Sequence, residues 1–243
     1  MHNKLKSFLL IFFLFVFSVK NNFAQKKFTY GVGVDIFQTK LNNVDRESLS
    51  DYGHSVPYFT QNDRLGLGIN AMVRMPIYKG LGLETGLGLA RYQSQFHFEY
   101  RHAFSQLWMD KKFNIGLNYL RMPLNLYYNF KISPKSSILI SGGVNFKLLL
   151  WADDNFDKIV FEEVGLGKIY QRYNSTIINL LGNISYNYVL SKGAKIEIGL
   201  IVGQDISCIT KRKPKAQAGF GFYRNLRNSH YSQYGLSIKY ILP

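Results

Sequence analysis

A histidine and a serine two residues apart in an extended chain project to the same side. In that geometry an imidazole can take the hydroxyl proton and make the serine a nucleophile. His230 and Ser232, separated by Tyr231, form such a pair. No Asp or Glu follows Ser232 to orient the imidazole, so nothing downstream fixes the histidine tautomer. The competing reading is two polar residues where a loop enters a strand. The other histidines, His2, His54, His97 and His102, are scattered, and His97 and His102 lack the i, i+2 or i, i+4 spacing that sets two metal ligands on one face. Cys208 is the only cysteine, which excludes an internal disulfide and leaves a cysteine-based zinc site without partners. Asp153, Asp154, Asn155 and Asp157 concentrate oxygen ligands without the Gly and terminal Glu of a calcium loop. Gly66-Leu67-Gly68 and its relatives do not open helices and are not dinucleotide motifs. These residues predict no catalytic group, no metal and no cofactor, and a chain that is not an enzyme.

Charge is the second chemical feature. Lys211, Arg212, Lys213, Lys215, Arg224 and Arg227 occur with no acid between Cys208 and Ser229, and Phe220, Phe222 and Tyr223 lie among them. Such a basic, aromatic segment suits the phosphates of an outer-leaflet glycolipid; the acidic run at Asp153 to Asp157 and plain solvation are the other readings. The chain as a whole carries a formal +15. A positive excess points to nucleic acid or to an anionic lipid surface, and an exported chain meets the lipid. A further set of ionisable residues, Asp35, Arg74, Glu84, Arg121, Lys147, Glu197, Asp205 and Lys239, stands inside otherwise apolar stretches.

The elements that must position these residues are strands. After residue 24 no apolar run reaches the ~18 to 20 residues of a membrane helix. Period-two alternation recurs instead. Tyr30, Val32, Val34 and Ile36 alternate with Gly31, Gly33 and Asp35; Leu65, Leu67, Ile69, Ala71 and Val73 with Gly66, Gly68, Asn70 and Arg74; Leu81, Leu83, Leu87 and Leu89 with Gly82, Glu84, Gly86 and Gly88. Five further stretches follow, around Leu120–Tyr128, Ile138–Leu148, Ile178–Asn187, Ile196–Asp205 and Gly235–Leu242. One face of each strand suits lipid, while the other carries Gly and charge. That pattern reconciles 47% hydrophobic and 16% aromatic residues with a mean hydropathy of only −0.10. The ionisable residues all fall on the inward face, where unpaired charges would cost several kcal/mol each, so they are expected to form a balanced salt-bridge network that fills the lumen. Arg74, Glu84, Glu197 and Lys239 belong toward the periplasmic end, and Asp35, Arg121, Lys147 and Asp205 higher.

The N-terminus reads as an address. Lys4 and Lys6 precede an apolar run from Phe8 to Phe17, too short to span a bilayer, and the pattern is that of a signal peptide over residues 1–24. Residues 25–243 then form one outer-membrane domain. Short connections near Ile77–Gly80, Lys131–Lys135 and Ser191–Ala194 alternate with long polar ones near 40–63, 96–114, 151–172 and 208–229, the order of periplasmic turns and outside loops. The expected fold is an all-β, antiparallel up-and-down transmembrane barrel of about eight strands with a filled polar lumen, monomeric, and too narrow for a diffusion pore.

The run Tyr119-Leu120-Arg121-Met122-Pro123-Leu124-Asn125-Leu126-Tyr127-Tyr128, followed by Ser141-Gly142-Gly143-Val144, resembles the Y-L-x-[IM]-P-L-x-L strand pair of PorT-like outer-membrane β-barrel proteins. The resemblance implies a barrel in the outer membrane and, for the member that names the family, a place in a protein secretion apparatus. The His230-x-Ser232 element resembles that of PagL-like lipid A deacylases, but their downstream Glu has no counterpart here. The leading expectation is a non-enzymatic barrel that displays loops for binding or supports the envelope. Its partners would be outer-membrane lipid, including anionic glycolipid, and other envelope proteins, not nucleic acid. A secretion subunit and an outer-leaflet lipid-modifying enzyme are the alternatives.

Overall fold

The computed structural model describes residues 28–42, 58–101, 108–154, 173–190, 193–209 and 229–243. Within them the chain forms eight strands: β1 (Thr29–Asn42), β2 (Tyr58–Tyr78), β3 (Leu81–Arg101), β4 (Trp108–Lys131), β5 (Ser136–Asp154), β6 (Thr176–Val189), β7 (Lys195–Asp205) and β8 (His230–Ile241). Each pairs antiparallel with its neighbour in the chain, and β1 pairs with β8 to close the barrel. Closure satisfies the backbone groups that an open sheet would leave bare, which a chain crossing lipid requires.

The alternation sets which way every side chain points. Val32, Val34 and Ile36 face out on β1, while Gly33, Asp35 and Phe37 face in. The outer surface is a continuous apolar belt; Leu65 and Leu200 are 66% exposed, and Leu67, Ile69, Ile184 and Ile198 lie in the same band. Water-facing surfaces do not carry such a belt, whereas the hydrocarbon of a bilayer requires it. Met122 keeps the outward parity of β4 but is covered, opposite Phe146 of β5.

The connections differ in kind at the two ends. Tyr78 pairs with Leu81, and both intervening residues have positive φ, 34° at Lys79 and 93° at Gly80, as a two-residue type I′ hairpin demands. Ser133 and Ser136 tie the next short turn through backbone and hydroxyl bonds, and Leu190 N donates to Ala194 O across the third. On the opposite side the strands run past the belt. β1, β6, β7 and β8 have 14, 14, 11 and 12 residues, but β2, β3 and β4 have 21, 21 and 24. A crossing needs about 9 to 11 residues, so β2, β3 and β4 continue roughly ten residues beyond it. The ladders reach Tyr58 opposite Glu99 and Arg101 opposite Trp108.

This corrects one expectation. Much of the segments read as loops over 40–63 and 96–114 is strand. The apolar–polar contrast that marks a lipid-facing strand stops near Leu65 and Leu89, yet ladder bonding continues wherever a neighbouring strand is available. A β-bulge between Asp63 and Leu67 falls at that level. The lumen is filled, as expected: toward the short turns it is polar, and farther up Thr39, Ser94 and Gln233 are buried among apolar groups. Its other half is aromatic and aliphatic, with Phe37, Tyr92, Phe96, Ile115, Leu117, Tyr119 and Tyr231 all 1% exposed or less.

If the belt meets lipid, Leu200→Arg places a charge at mid-strand in hydrocarbon and costs about 2 to 4 kcal/mol. The expected outcome is a large fall in folded barrel, scored by heat-modifiable migration in gels. Wild-type yield of folded protein would show that Leu200 faces water.

Candidate functional site

The lumen is built in tiers along the barrel axis. Nearest the short turns, Arg74 of β2 and Glu84 of β3 stand directly opposite one another across the first hairpin. Arg74 Nη2 lies 2.6 Å from Glu84 Oε2, and Arg74 Nη1 lies 2.7 Å from Glu197 Oε2 on β7. Lys239 of β8 reaches the same two carboxylates, 3.3 Å from Glu84 Oε1 and 3.4 Å from Glu197 Oε1. The four side chains close a ring of alternating charge, and all are buried. Tyr127 sets its ring 5.5 Å from the Arg74 guanidinium, and Asn125 Nδ2 donates to Glu84 Oε1.

The next tier centres on Asp35 of β1. Arg121 of β4 reaches across the lumen to place Nη2 2.6 Å from Asp35 Oδ2. Asn70 Nδ2 donates to that oxygen at 3.1 Å, and Ser237 Oγ donates to Oδ1 at 2.7 Å. A cavity of about 40 Å³ lies at this height, bordered by Asp35, Glu84, Arg121, Asn145, Asn183 and Lys239. It has room for a few water molecules and no more.

Above it, Lys147 of β5 is fully buried with Nζ 2.5 Å from Asp205 Oδ1 on β7. Asn179 Nδ2 donates to the same carboxylate at 2.9 Å. The ammonium also sits 4.0 Å from the Tyr92 ring centroid and 5.2 Å from that of Tyr119. A cation enclosed by a carboxylate and two aromatic faces is well compensated for its lost hydration. From here the lumen turns apolar. Tyr92 is the hub, with ring centroids 5.1 Å from Phe37, 5.6 Å from Tyr119 and 5.6 Å from Tyr231, and its hydroxyl donates to Gln233 Oε1 at 2.5 Å. Leu41, Phe96, Ile115, Leu117, Ile177 and Ile209 complete the plug. Segments beside the strands hold it in place: Asn174 N donates to Ile209 O, and Ile209 N to Ser229 O.

Glycines make room for this filling. A Cβ on Gly66 would lie 2.3 Å from Phe37 Cε2, and one on Gly235 would lie 2.7 Å from Phe37 Cβ. Gly66 thus makes room for the Phe37 ring, and Gly235 for the close approach of the β1 backbone at Ile36 and Phe37.

The structure therefore brings Asp35, Arg74, Glu84, Arg121, Lys147, Glu197, Asp205 and Lys239 into three ion-paired groups. It treats the other candidates differently. Ser232 sits on the outer face of β8; its hydroxyl donates to Gln204 Oε1 on β7 and accepts from Asn42 Nδ2 on β1. The serine hydroxyl is thus bonded between two side-chain amides. Asp153 is engaged at the end of β5, with Oδ2 3.1 Å from Arg91 Nη2 and accepting from Asn118. His97 lies on β3 opposite Lys112. Among the described residues no three His, Cys, Asp or Glu side chains gather as metal ligands. The basic segment with Lys211, Arg212, Lys213, Lys215, Arg224 and Arg227, the residues Asn155, Asp157, His54 and His102, and residues 1–24, where a signal peptide is expected, lie outside the described residues.

The aromatic plug was the part sequence reasoning missed. Tyr92 and Phe96 share the parity of Glu84 on β3, and Phe37 shares that of Asp35 on β1, so the same alternation carried the signal.

No protein-family model matches the chain, and no curated protein does. Several solved structures are similar at low identity. Neisserial surface protein A is 12% identical with a TM-score of 0.43, covering 86% of this chain and 95% of its own. The outer membrane protein OprG from Pseudomonas aeruginosa is 12% identical with a TM-score of 0.45, covering 89% and 97%. Ail of Yersinia pestis, solved with the heparin analogue sucrose octasulfate, is 8% identical with a TM-score of 0.38, covering 89% and 99%. No residue role passes from proteins so distant. The closed antiparallel ladder, the apolar belt and the short-turn and long-connection ends make this chain an outer-membrane β-barrel on its own surface.

The ring predicts non-additivity. Glu84→Gln leaves the buried cations of Arg74 and Lys239 sharing one carboxylate, at a cost of about 3 to 5 kcal/mol. Adding Arg74→Gln restores neutrality by leaving the Lys239–Glu197 pair intact, and is expected to recover much of that loss in denaturant midpoints. Simple additivity of the two single losses would show that the residues are not coupled.

Proposed function

We propose that this chain is a non-enzymatic, non-conducting outer-membrane barrel whose body serves as a rigid mount for its outside segments, used in binding or in envelope structure. One observation carries the reading: the lumen is filled along its length, ionic below and aromatic above, with a cavity of only about 40 Å³ between. The paired extension of β2, β3 and β4 beyond the belt supports it further, because a laddered sheet holds its connecting segments at a fixed height above the lipid. A closed barrel offers no strand edge within the bilayer, which suits a monomer. The basic segment 211–227 has the composition to meet outer-leaflet glycolipid phosphates or other envelope proteins.

The PorT-like run suggests a secretion subunit as the second reading. Its residues already have structural employment: Tyr119, Arg121, Asn125 and Tyr127 line successive tiers of the lumen, and Leu124, Leu126 and Tyr128 face lipid. The run is therefore accounted for by barrel construction without an assembly partner. A PagL-like activity has less support, since Ser232 donates to Gln204 and lacks a downstream acid.

In planar bilayers the purified chain is expected to give no discrete current steps, and its expression is expected to leave the mass of lipid A unchanged. Stable steps would mark a pore, and loss of an acyl chain would mark an enzyme; either result overturns the proposal.

A further inference from the structure

Among the described residues the two ends of the barrel differ in charge as well as in connection length. At the short-turn end Lys79 lies in the β2–β3 turn, Lys131 ends β4, Lys135 lies in the β4–β5 turn, and Lys195 opens β7. The first three are exposed and Lys195 is half-buried. No exposed Asp or Glu side chain accompanies them among the described residues. The nearest carboxylates, Glu84 and Glu197, are buried and held by Arg74 and Lys239. The opposite end exposes Lys40, Arg64 and Lys112, but Asp63 and Asp153 lie among those cations, and Arg91 is paired with Asp153.

Aromatic residues are similarly placed. Tyr78, Tyr128, Phe130, Tyr186, Tyr188 and Tyr240 stand outward near the short-turn ends of β2, β4, β6 and β8. Tyr128 and Phe130 pack with ring centroids 4.4 Å apart, and the Lys79 ammonium lies 5.1 Å from the Tyr78 ring. Tyrosine prefers the level where hydrocarbon gives way to headgroups, with the ring in the acyl region and the hydroxyl in the polar layer. A lysine just beyond that level extends its stem along the apolar surface and its ammonium into the phosphate plane.

We propose that the short-turn end is a binding surface for anionic phospholipid headgroups in the periplasmic leaflet, with Lys79, Lys131, Lys135 and Lys195 supplying the charge and the tyrosine belt fixing the height. Cations held at the phosphate plane with no competing acidic side chain select a net-negative headgroup over a zwitterionic one, because a choline or ethanolamine ammonium cancels part of the attraction. Lys79 and Lys135 project from two of the short connections, and Lys131 and Lys195 stand at the barrel mouth as the terminal residues of β4 and β7.

The test uses the full folded chain equilibrated in mixed micelles with equimolar phosphatidylglycerol and phosphatidylcholine, followed by native mass spectrometry to count the retained lipids. The expected result is a several-fold excess of phosphatidylglycerol. It should collapse toward parity in K79Q/K131Q/K135Q/K195Q and survive both in the corresponding four-arginine variant and in K40Q/R64Q at the far end. Equal retention of the two lipids by the wild type would overturn the proposal and leave the basic end to some other acidic partner. Undiminished enrichment in the four-glutamine variant would overturn it as well, as would loss of enrichment in K40Q/R64Q. The wild-type ratio and the arginine variant keep the test decisive even if the glutamine variant folds poorly.

Discussion

Four buried charges that neutralise one another govern the interior of this barrel. The ring of Arg74, Glu84, Lys239 and Glu197 joins the β2–β3 hairpin to the β7–β8 hairpin, bridging over β1. Bringing such groups out of water is costly, and removing one partner costs more than never having the pair. The ring therefore constrains register more tightly than an apolar filling would. A one-residue slip in any of the four strands would carry a charge to the lipid face and leave its partners uncompensated. Where the ring can form, the strands have one alignment.

The higher tiers apply the same rule. Asp35 is satisfied by one guanidinium, one amide and one hydroxyl. Asp205 holds the fully buried Lys147 against two tyrosine rings. Beyond that point aromatic packing replaces ion pairing, and the phenol of Tyr92 is satisfied by Gln233. The order follows from where water can reach. Ionic tiers lie inside the bilayer-spanning section, where Asn and Ser side chains supply bonds that water would otherwise make. The apolar plug starts at the upper edge of the belt, where Phe37 pairs with Gly66, and continues where the long strands rise beyond it. Among the described residues, inward side chains fill the lumen at both levels.

Much of this was legible in the sequence because period two ties each residue to a face. Glu84 next to Leu83, or Asp205 three residues after Val202, identifies the inward set without a structure. Which charges would meet was harder to read. Arg74 and Glu84 flank one short turn, so hairpin geometry pairs them, but Arg121 with Asp35 is a contact across the lumen between β4 and β1 that depends on barrel diameter and strand stagger. The plug escaped notice because Tyr92, Tyr119 and Tyr231 are as compatible with a membrane interface as with a core. The continuation of β2, β3 and β4 was hidden for another reason: once a strand leaves lipid, its outward residues, such as Arg91, Gln93 and Gln95, read like a loop. At Ser232 the sequence shows a histidine two residues away, whereas the hydrogen bonds come from Gln204 and Asn42, distant in sequence and adjacent across the sheet.

The central claim is that the lumen is closed to solutes from both ends. Thiol accessibility measures this directly in a Cys208→Ser/Ser141→Cys variant, which places one thiol on the border of the central cavity in place of a buried hydroxyl of similar size. A small cationic methanethiosulfonate reagent should leave that thiol unmodified while the barrel is folded, and label it fully once the barrel is denatured by boiling in detergent. Rapid labelling of the folded protein would mean that solutes reach the middle of the lumen, and the sealed-barrel account would be wrong.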